Sequence, residues 1–391
     1  MSAFTLIQGV PQHYDWGGYG FIPQLLGTVP EPSQPWAEYW LGVHPKGMAR
    51  LEGTAQPLAA RLAAAGASLP FLLKVLDVRA SLSIQVHPDK ARAVAGFAAE
   101  NGRGLALEAG DRNYRDDNHK PEVMVALTPC VLLYGFSAVS DIIARCRPFP
   151  SLDGLVTALQ QQPLAVVYRQ VLQAGAAGLD SWLAPLLADL LPRWRSGQLR
   201  GEDHAFWLAR AAAENGAEAC RDPGLLALLM MNLVHVAPGE AIFQPARLPH
   251  AYLHGCNVEL MANSDNVLRG GLTRKHVDVA ELLAVVEVEP VVPAPVTQRV
   301  SPAGVVDYLL PTDEFHLRRV QPGASAARVS LAACPRPAIV LNMGATCQLL
   351  PVANAGEAVT PFALPRGGSL LVAAGQAWSV TGAGADLFVA W

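Results

Sequence analysis

Strand-forming segments in this chain stop near residue 150 and resume only after Leu233. Before the gap, short apolar runs such as Phe71-Leu72-Leu73-Lys74-Val75-Leu76 and Val123-Met124-Val125-Ala126-Leu127 sit between turn signals. From about 151 to 232, Leu and Ala recur at helical spacing, as in Ser181 to Leu191 and Ala205 to Ala213, with Pro and Gly between the runs. After it, Pro238-Gly239 marks a turn, and Ala241 to Gln244 and Asn257 to Met261 suit short strands again. A sheet whose chain leaves to build helices and then returns accounts for this order. We therefore expect a β-domain from 1–150 and 233–288, interrupted by a helical insertion at 151–232. The Pro- and Val-rich stretch Glu289 to Pro295 reads as a linker. Beyond it, runs such as Ala338-Ile339-Val340-Leu341 and Ser369-Leu370-Leu371-Val372 predict a separate all-β domain over 289–391.

Composition narrows the partners. With 51% hydrophobic and 16% charged residues in 391, the chain can build sizeable cores. A net charge of −4 provides no basic field for nucleic acid or an anionic membrane, so an anionic ligand must be met by a few local cations. No apolar run approaches the roughly 18 residues of a membrane span, and Met1 to Val10 lacks the pattern of a secretory signal. The six cysteines show no C-x-x-C spacing and are expected to be free thiols in the cytoplasm.

Three segments carry chemistry. Ser81 to Lys90 alternates polar and apolar residues, so on a strand Ser83, Gln85 and His87 face one way and Leu82, Ile84 and Val86 the other. Tyr114 to Glu122 places ionisable groups at the entry to the apolar run 123–127. Pro238 to Tyr252 has a turn, strand, proline and histidine in order, and Pro249 biases Leu248 towards extended backbone before His250. Together they offer Gln85, His87, Glu122 and His250, a mixed nitrogen and oxygen donor set suited to one divalent metal such as zinc. Because Val258 and Leu260 flank it, Glu259 is expected to point into a polar cavity, where partial burial would suit it to act as a base.

Gln85-Val86-His87-Pro88-Asp89-Lys90, Asn118-His119-Lys120-Pro121-Glu122 and Pro249-His250-Ala251-Tyr252 resemble signatures of the type I mannose-6-phosphate isomerases. Pro35 to Pro45, Tyr14-Asp15-Trp16-Gly17 and Asn263 to Thr273 are similar to other stretches of that family, in family order. The resemblance implies a mainly β fold with α, a cupin or jelly-roll barrel interrupted by a helical insertion and followed by a jelly-roll-like C-terminal β-domain. It also implies a zinc-dependent interconversion of mannose 6-phosphate and fructose 6-phosphate through a cis-enediolate, with Gln85, His87, Glu122 and His250 as the zinc ligands. Arg269 matches the family's active-site arginine, a permanent cation beside the enediolate. Lys120 would protonate or orient a sugar oxygen, and the base is left open between Glu259 and groups near Lys120 and Asp265. Ser83 and Lys275 are candidate phosphate contacts, joined by Tyr252 as a substrate-binding side chain. Family members usually carry Gly close to the positions of Arg247 and Leu248, and a small polar residue where this chain has His254. Two other uses of such a metal remain open from the residues: a cupin oxygenase using iron, or a sugar-binding cupin without chemistry.

Overall fold

The computed structural model describes residues 2–216, 221–323, 328–352 and 360–391. One strand organises the site. His250–Ala262 is 13 residues long and belongs to two leaves of sheet. Its C-terminal half pairs antiparallel with Phe71–Val78 and Glu122–Ala126. Its N-terminal half pairs with Cys130–Phe136 and, through His250, with Gln85–Val86. The change of partners falls at a register shift between Tyr252 and His254, followed by Gly255 at φ +106. A Cβ at Gly255 would stand 2.7 Å from both Cys130 Sγ and the Pro129 carbonyl, so the bend requires glycine.

The first leaf continues to Ala241–Gln244 on one edge and to Glu38–Gly42 and Val10–Gln12 on the other. The second adds Met231–Val236 and Leu268–Arg269. Leu76, Met124 and Ile242 from the first leaf meet Leu132, Val236 and Tyr252 from the second, so the leaves face each other. This is the cupin arrangement expected, with ladders that do not close into a ring.

Period-two alternation gives each leaf a second buried face. On the first leaf, Leu73, Val75, Val125, Val258 and Leu260 pack against Ile339, Leu341 and Phe388 of the C-terminal sheet. On the second, Val86, Leu133 and Leu253 pack against Val167, Leu186 and Leu226 of the helices. Those helices are Asp153–Gln161, Leu164–Gln173, Ala176–Arg195, His204–Asn215 and Gly224–Met230, within the stretch read as helical. Six C-terminal strands, joined by Phe4–Gln8 and Arg50–Leu51, form an eight-stranded sheet covered on its far side by a four-stranded sheet, with Val340, Leu370 and Trp378 between them.

Three expectations differ from the structure in detail. The strand Phe4–Gln8 lies in the C-terminal sheet, between Ser369–Val372 and Arg50–Leu51, rather than in the β-domain that follows it in sequence. Phe4 and Ile7 fall into two different cores, so this strand buries both faces and suits a mid-sheet position. Of Ser81 to Lys90 only Gln85–Val86 is strand, because Pro88 lacks an N–H and Asp89 accepts from the Arg92 amide at 2.8 Å to cap the helix Lys90–Gly102. The linker after Glu289 is tied down: Val291 N–H donates to Phe136 O at 2.9 Å, and Asn232 Nδ2 donates to Val291 O at 3.0 Å. Cys130, Cys146, Cys256, Cys334 and Cys347 are free thiols, and Cys220 lies outside the described residues. No helix among the described residues is long and apolar enough to cross a membrane.

The helical block carries its own pH sensitivity. Burial, reinforced by Arg145, lowers His204 from its ordinary value to about 4. The folded state thus favours the neutral ring, while the unfolded chain takes up a proton below about pH 6.5. Stability from this group is complete above pH 6.5 and is lost as pH falls towards 4. Denaturant unfolding from pH 7.5 to 4.5 should show a decline that His204→Gln makes shallower; identical slopes for both proteins would contradict this origin.

Candidate metal centre

His87, Glu122 and His250 come from three different strands or strand ends, yet their donor atoms all lie within 4.8 Å of one another in the buried interior. Each imidazole is oriented by a backbone carbonyl: His87 Nδ1 donates to Asn266 O at 2.8 Å and His250 Nδ1 to Leu248 O at 3.0 Å. In a neutral ring this places the lone pair on Nε2. Both Nε2 atoms then face Glu122 Oε2, at 3.4 Å from His87 and 3.1 Å from His250. His87 Nε2 is sealed from solvent and makes no hydrogen bond. Burial first, then Lys120, lowers His87 to about 4, so its ring is neutral near pH 7. Three lone-pair donors converging without a proton between them suit a divalent cation.

Gln85 is the neighbour of this set by ladder position. It stands opposite His250 on one side and Arg269 on the other, and directly paired residues project to the same face. Gln85 also lines a cavity of about 850 Å³ together with Ser83, Arg269, Lys275 and Glu38. The rim of this cavity is held by the helical block. Glu214 accepts from the Ser81 amide at 3.0 Å and from Arg210 Nε at 3.0 Å.

Electrostatics separate the remaining residues into two groups. Burial alone would raise the Glu122 carboxyl, but Lys120 and the two imidazoles hold it well below the ordinary carboxylate range. Lys120 Nζ is 2.7 Å from Glu122 Oε1 and nearly fully buried, so it is the counter-ion of a ligand and not free at the cavity surface. Glu259 turns to the inner face of its leaf but is buried and does not line the cavity; it meets Lys74 Nζ at 2.9 Å, and burial raises its carboxyl. Lys74 also lies 3.5 Å from Glu38, and the two carboxylates outweigh burial to raise the ammonium above its ordinary value. Only the Glu38 end of this triad lines the cavity. Asp265 is bound by Lys46 at 2.7 Å and His44 at 3.3 Å, which hold it below the carboxylate range despite its burial. Tyr252 is buried, hydrogen-bonded to Gln244 at 3.0 Å and raised by burial and by Glu259; it forms part of the wall and does not line the cavity.

In the same cavity, no carboxylate pairs with Arg269 or Lys275 among the described residues. Burial and the neighbouring Arg115 lower Arg269; burial, Arg269, Arg115 and Lys46 lower Lys275. Cations gathered without counter-ions form a ready anion site. Arg247 stands at φ +68, a backbone conformation that favours glycine. A side chain there costs about 1–2 kcal/mol. The turn is held because Arg247 N–H donates to His87 O at 2.7 Å and Nε to Val285 O at 3.1 Å. Sequence reasoning missed Glu38, Lys74 and Asn266. The visible signal for Lys74 is a lone charge inside an apolar strand, which seldom stands there without a buried partner.

Fold and donor set together define a cupin-type enzyme built around a single metal ion. Residues 4–139 match the family model for the catalytic domain of type I phosphomannose isomerase. Mannose-6-phosphate isomerase of Escherichia coli K12 is 37% identical over 325 residues, covering 78% of this chain and 80% of that protein. The apo structure of mannose 6-phosphate isomerase from Salmonella typhimurium superposes with a TM-score of 0.86 at 32% identity, over 100% of this chain and 99% of that one. A zinc-bound mannose 6-phosphate isomerase gives a TM-score of 0.85 at 32% identity over 99% of each chain. The chain belongs to the type I phosphomannose isomerase family.

The Lys120–Glu122 contact makes a testable demand. Metal-free Lys120→Met protein should lose about 3–5 kcal/mol, the scale of breaking a buried pair from one side. Saturating zinc should recover most of it, since a cation again faces Glu122. Equal losses with and without zinc, read from denaturant midpoints, would show that Lys120 does not act through Glu122.

Proposed function

We propose that this chain interconverts mannose 6-phosphate and fructose 6-phosphate, with the reacting carbons towards Gln85 and Arg269 and the phosphate towards Ser83 and Lys275. The observation that carries this reading is that one cavity meets both a metal donor and a group of unpaired cations, with Gln85 and Arg269 adjacent on one face. An oxygenase would have no comparable use for the cations, and a simple binding module would have none for the proton-carrying groups Glu38, Lys74 and Glu259.

Isomerisation moves one proton between C2 and C1 and another between O2 and O1, so it needs a base, a proton carrier and an electrophile. Zinc held by Gln85, His87, Glu122 and His250 would supply the electrophile by polarising the carbonyl. We assign the proton-carrying role to Glu38, Lys74 and Glu259: Glu38 meets the substrate, while Lys74 and Glu259 set its charge from behind. Asp265, already paired to His44 and Lys46, is better suited to holding its loop than to taking a proton. Lys120 keeps Glu122 ionised. Arg269 stabilises the enediolate without exchanging protons. Ser83 and Lys275 contribute a hydroxyl and an ammonium to the phosphate. The buried free thiols support a reducing compartment, the cytoplasm.

A strong chelator should abolish mannose 6-phosphate turnover and zinc should restore it; full activity in metal-free protein would contradict the reading. Arg269→Ala should keep its zinc and lower kcat by about 100-fold or more, the scale of losing one electrostatic donor to the transition state. Arg269→Lys should recover part of that loss, because it restores charge but not the planar fork. A large KM rise with kcat intact would move Arg269 to the phosphate.

A further inference from the structure

Asn266 is fully buried between Asp265 and the strand Leu268–Arg269, in a stretch that belongs to no strand. Its backbone carbonyl is the acceptor for His87 Nδ1 at 2.8 Å. Its side chain reaches across to the loop that delivers Lys120 and Glu122. The amide oxygen accepts from Arg115 N at 2.7 Å and Asp116 N at 3.3 Å. The amide nitrogen donates to Asp116 O and to Asn118 O, each at 2.8 Å. Asp116 closes the clasp from the other side: its carboxylate accepts from Ser264 Oγ at 2.8 Å and from Asp265 N at 2.7 Å.

We propose that Asn266 is a positioning residue of the metal centre, setting the His87 ring through its carbonyl and the approach of Glu122 through its amide. No other side chain of that length offers an acceptor and two donors at once. Aspartate would turn the donors into acceptors facing two carbonyls, and leucine would leave all four loop groups unpaired in the interior. The stretch 263–267 has no sheet ladder to fix its carbonyl. Its position is therefore set by the clasp. One residue thus couples two ligands that lie far apart in the chain.

The test compares two buried asparagines. Asn342, in the C-terminal sheet, is also fully buried and donates through its amide to Ala345 O, Leu364 O and Pro365 O, remote from the metal donors in the fold. Zinc affinity is measured by chelator competition on folded full-length protein, alongside thermal unfolding of the metal-free form. Asn266→Ala should weaken zinc by about 10–100-fold, the range seen when a group orienting a metal ligand is removed. Asn342→Ala should lower the melting temperature yet keep zinc affinity within about twofold of wild type, since it removes buried hydrogen bonds but no ligand support. Should Asn266→Ala fail to fold, Asn266→Asp, which retains the two acceptor contacts, is read in the same assay with the same expectation. Zinc affinity within about threefold of wild type in the folded Asn266 variant, or equal weakening in Asn342→Ala, would overturn the proposal. The inference rests on the metal-centre reading, and wild-type protein that binds no zinc would sink that reading instead.

Discussion

The structure depends on one electrostatic problem, the convergence of Glu122 and two imidazole nitrogens in a sealed interior. Three lone pairs at 3.1 to 3.4 Å repel unless a cation stands among them. Lys120 answers part of the demand from one side and leaves the side facing both histidines for a metal. Around it, charges are matched: Lys74 is buried with Glu38 and Glu259, and the half-buried Asp265 is held by His44 and the exposed Lys46. Arg269 and Lys275 break that pattern. Their unmatched charge is the part of the site still requiring a partner, and a phosphorylated sugar supplies it.

Holding such a site needs rigid support, because buried charges gain from their partners only when geometry is kept. The strand His250–Ala262 supplies it by carrying a metal donor at its start and Glu259 farther along, on either side of a bend at Gly255. Both leaves that share this strand are backed by apolar cores, one formed with the C-terminal sheet and the other with the helices. These flanking elements contribute few groups to the cavity. Their main contribution is to keep the leaves from shifting in register, which would turn donors away from one another.

Much of this was legible in the sequence. Helical spacing from about 151 to 232 located the helices, and period-two alternation around Glu259 turned it to the inner face of its leaf while Val258 and Leu260 entered the outer core. The donor residues were visible because Gln, His and Glu recur with prolines at strand ends, a local pattern. What stayed hidden was pairing between distant segments. Nothing local indicates that Lys74 will meet Glu259, 185 residues away, or that Asp265 will be taken by Lys46. Nor does the local pattern show that Tyr252 and Lys120 are held by buried partners. Phe4–Gln8 was placed with its sequence neighbours because short strands carry no mark of which sheet they will join.

Anomalous diffraction at the zinc edge, on crystals of the full chain loaded with one equivalent of zinc, tests the central claim most directly. The account predicts a single strong peak within bonding distance of Gln85, His87 Nε2, Glu122 and His250 Nε2. A peak elsewhere, or one that leaves the two Nε2 atoms without a zinc contact, would contradict it.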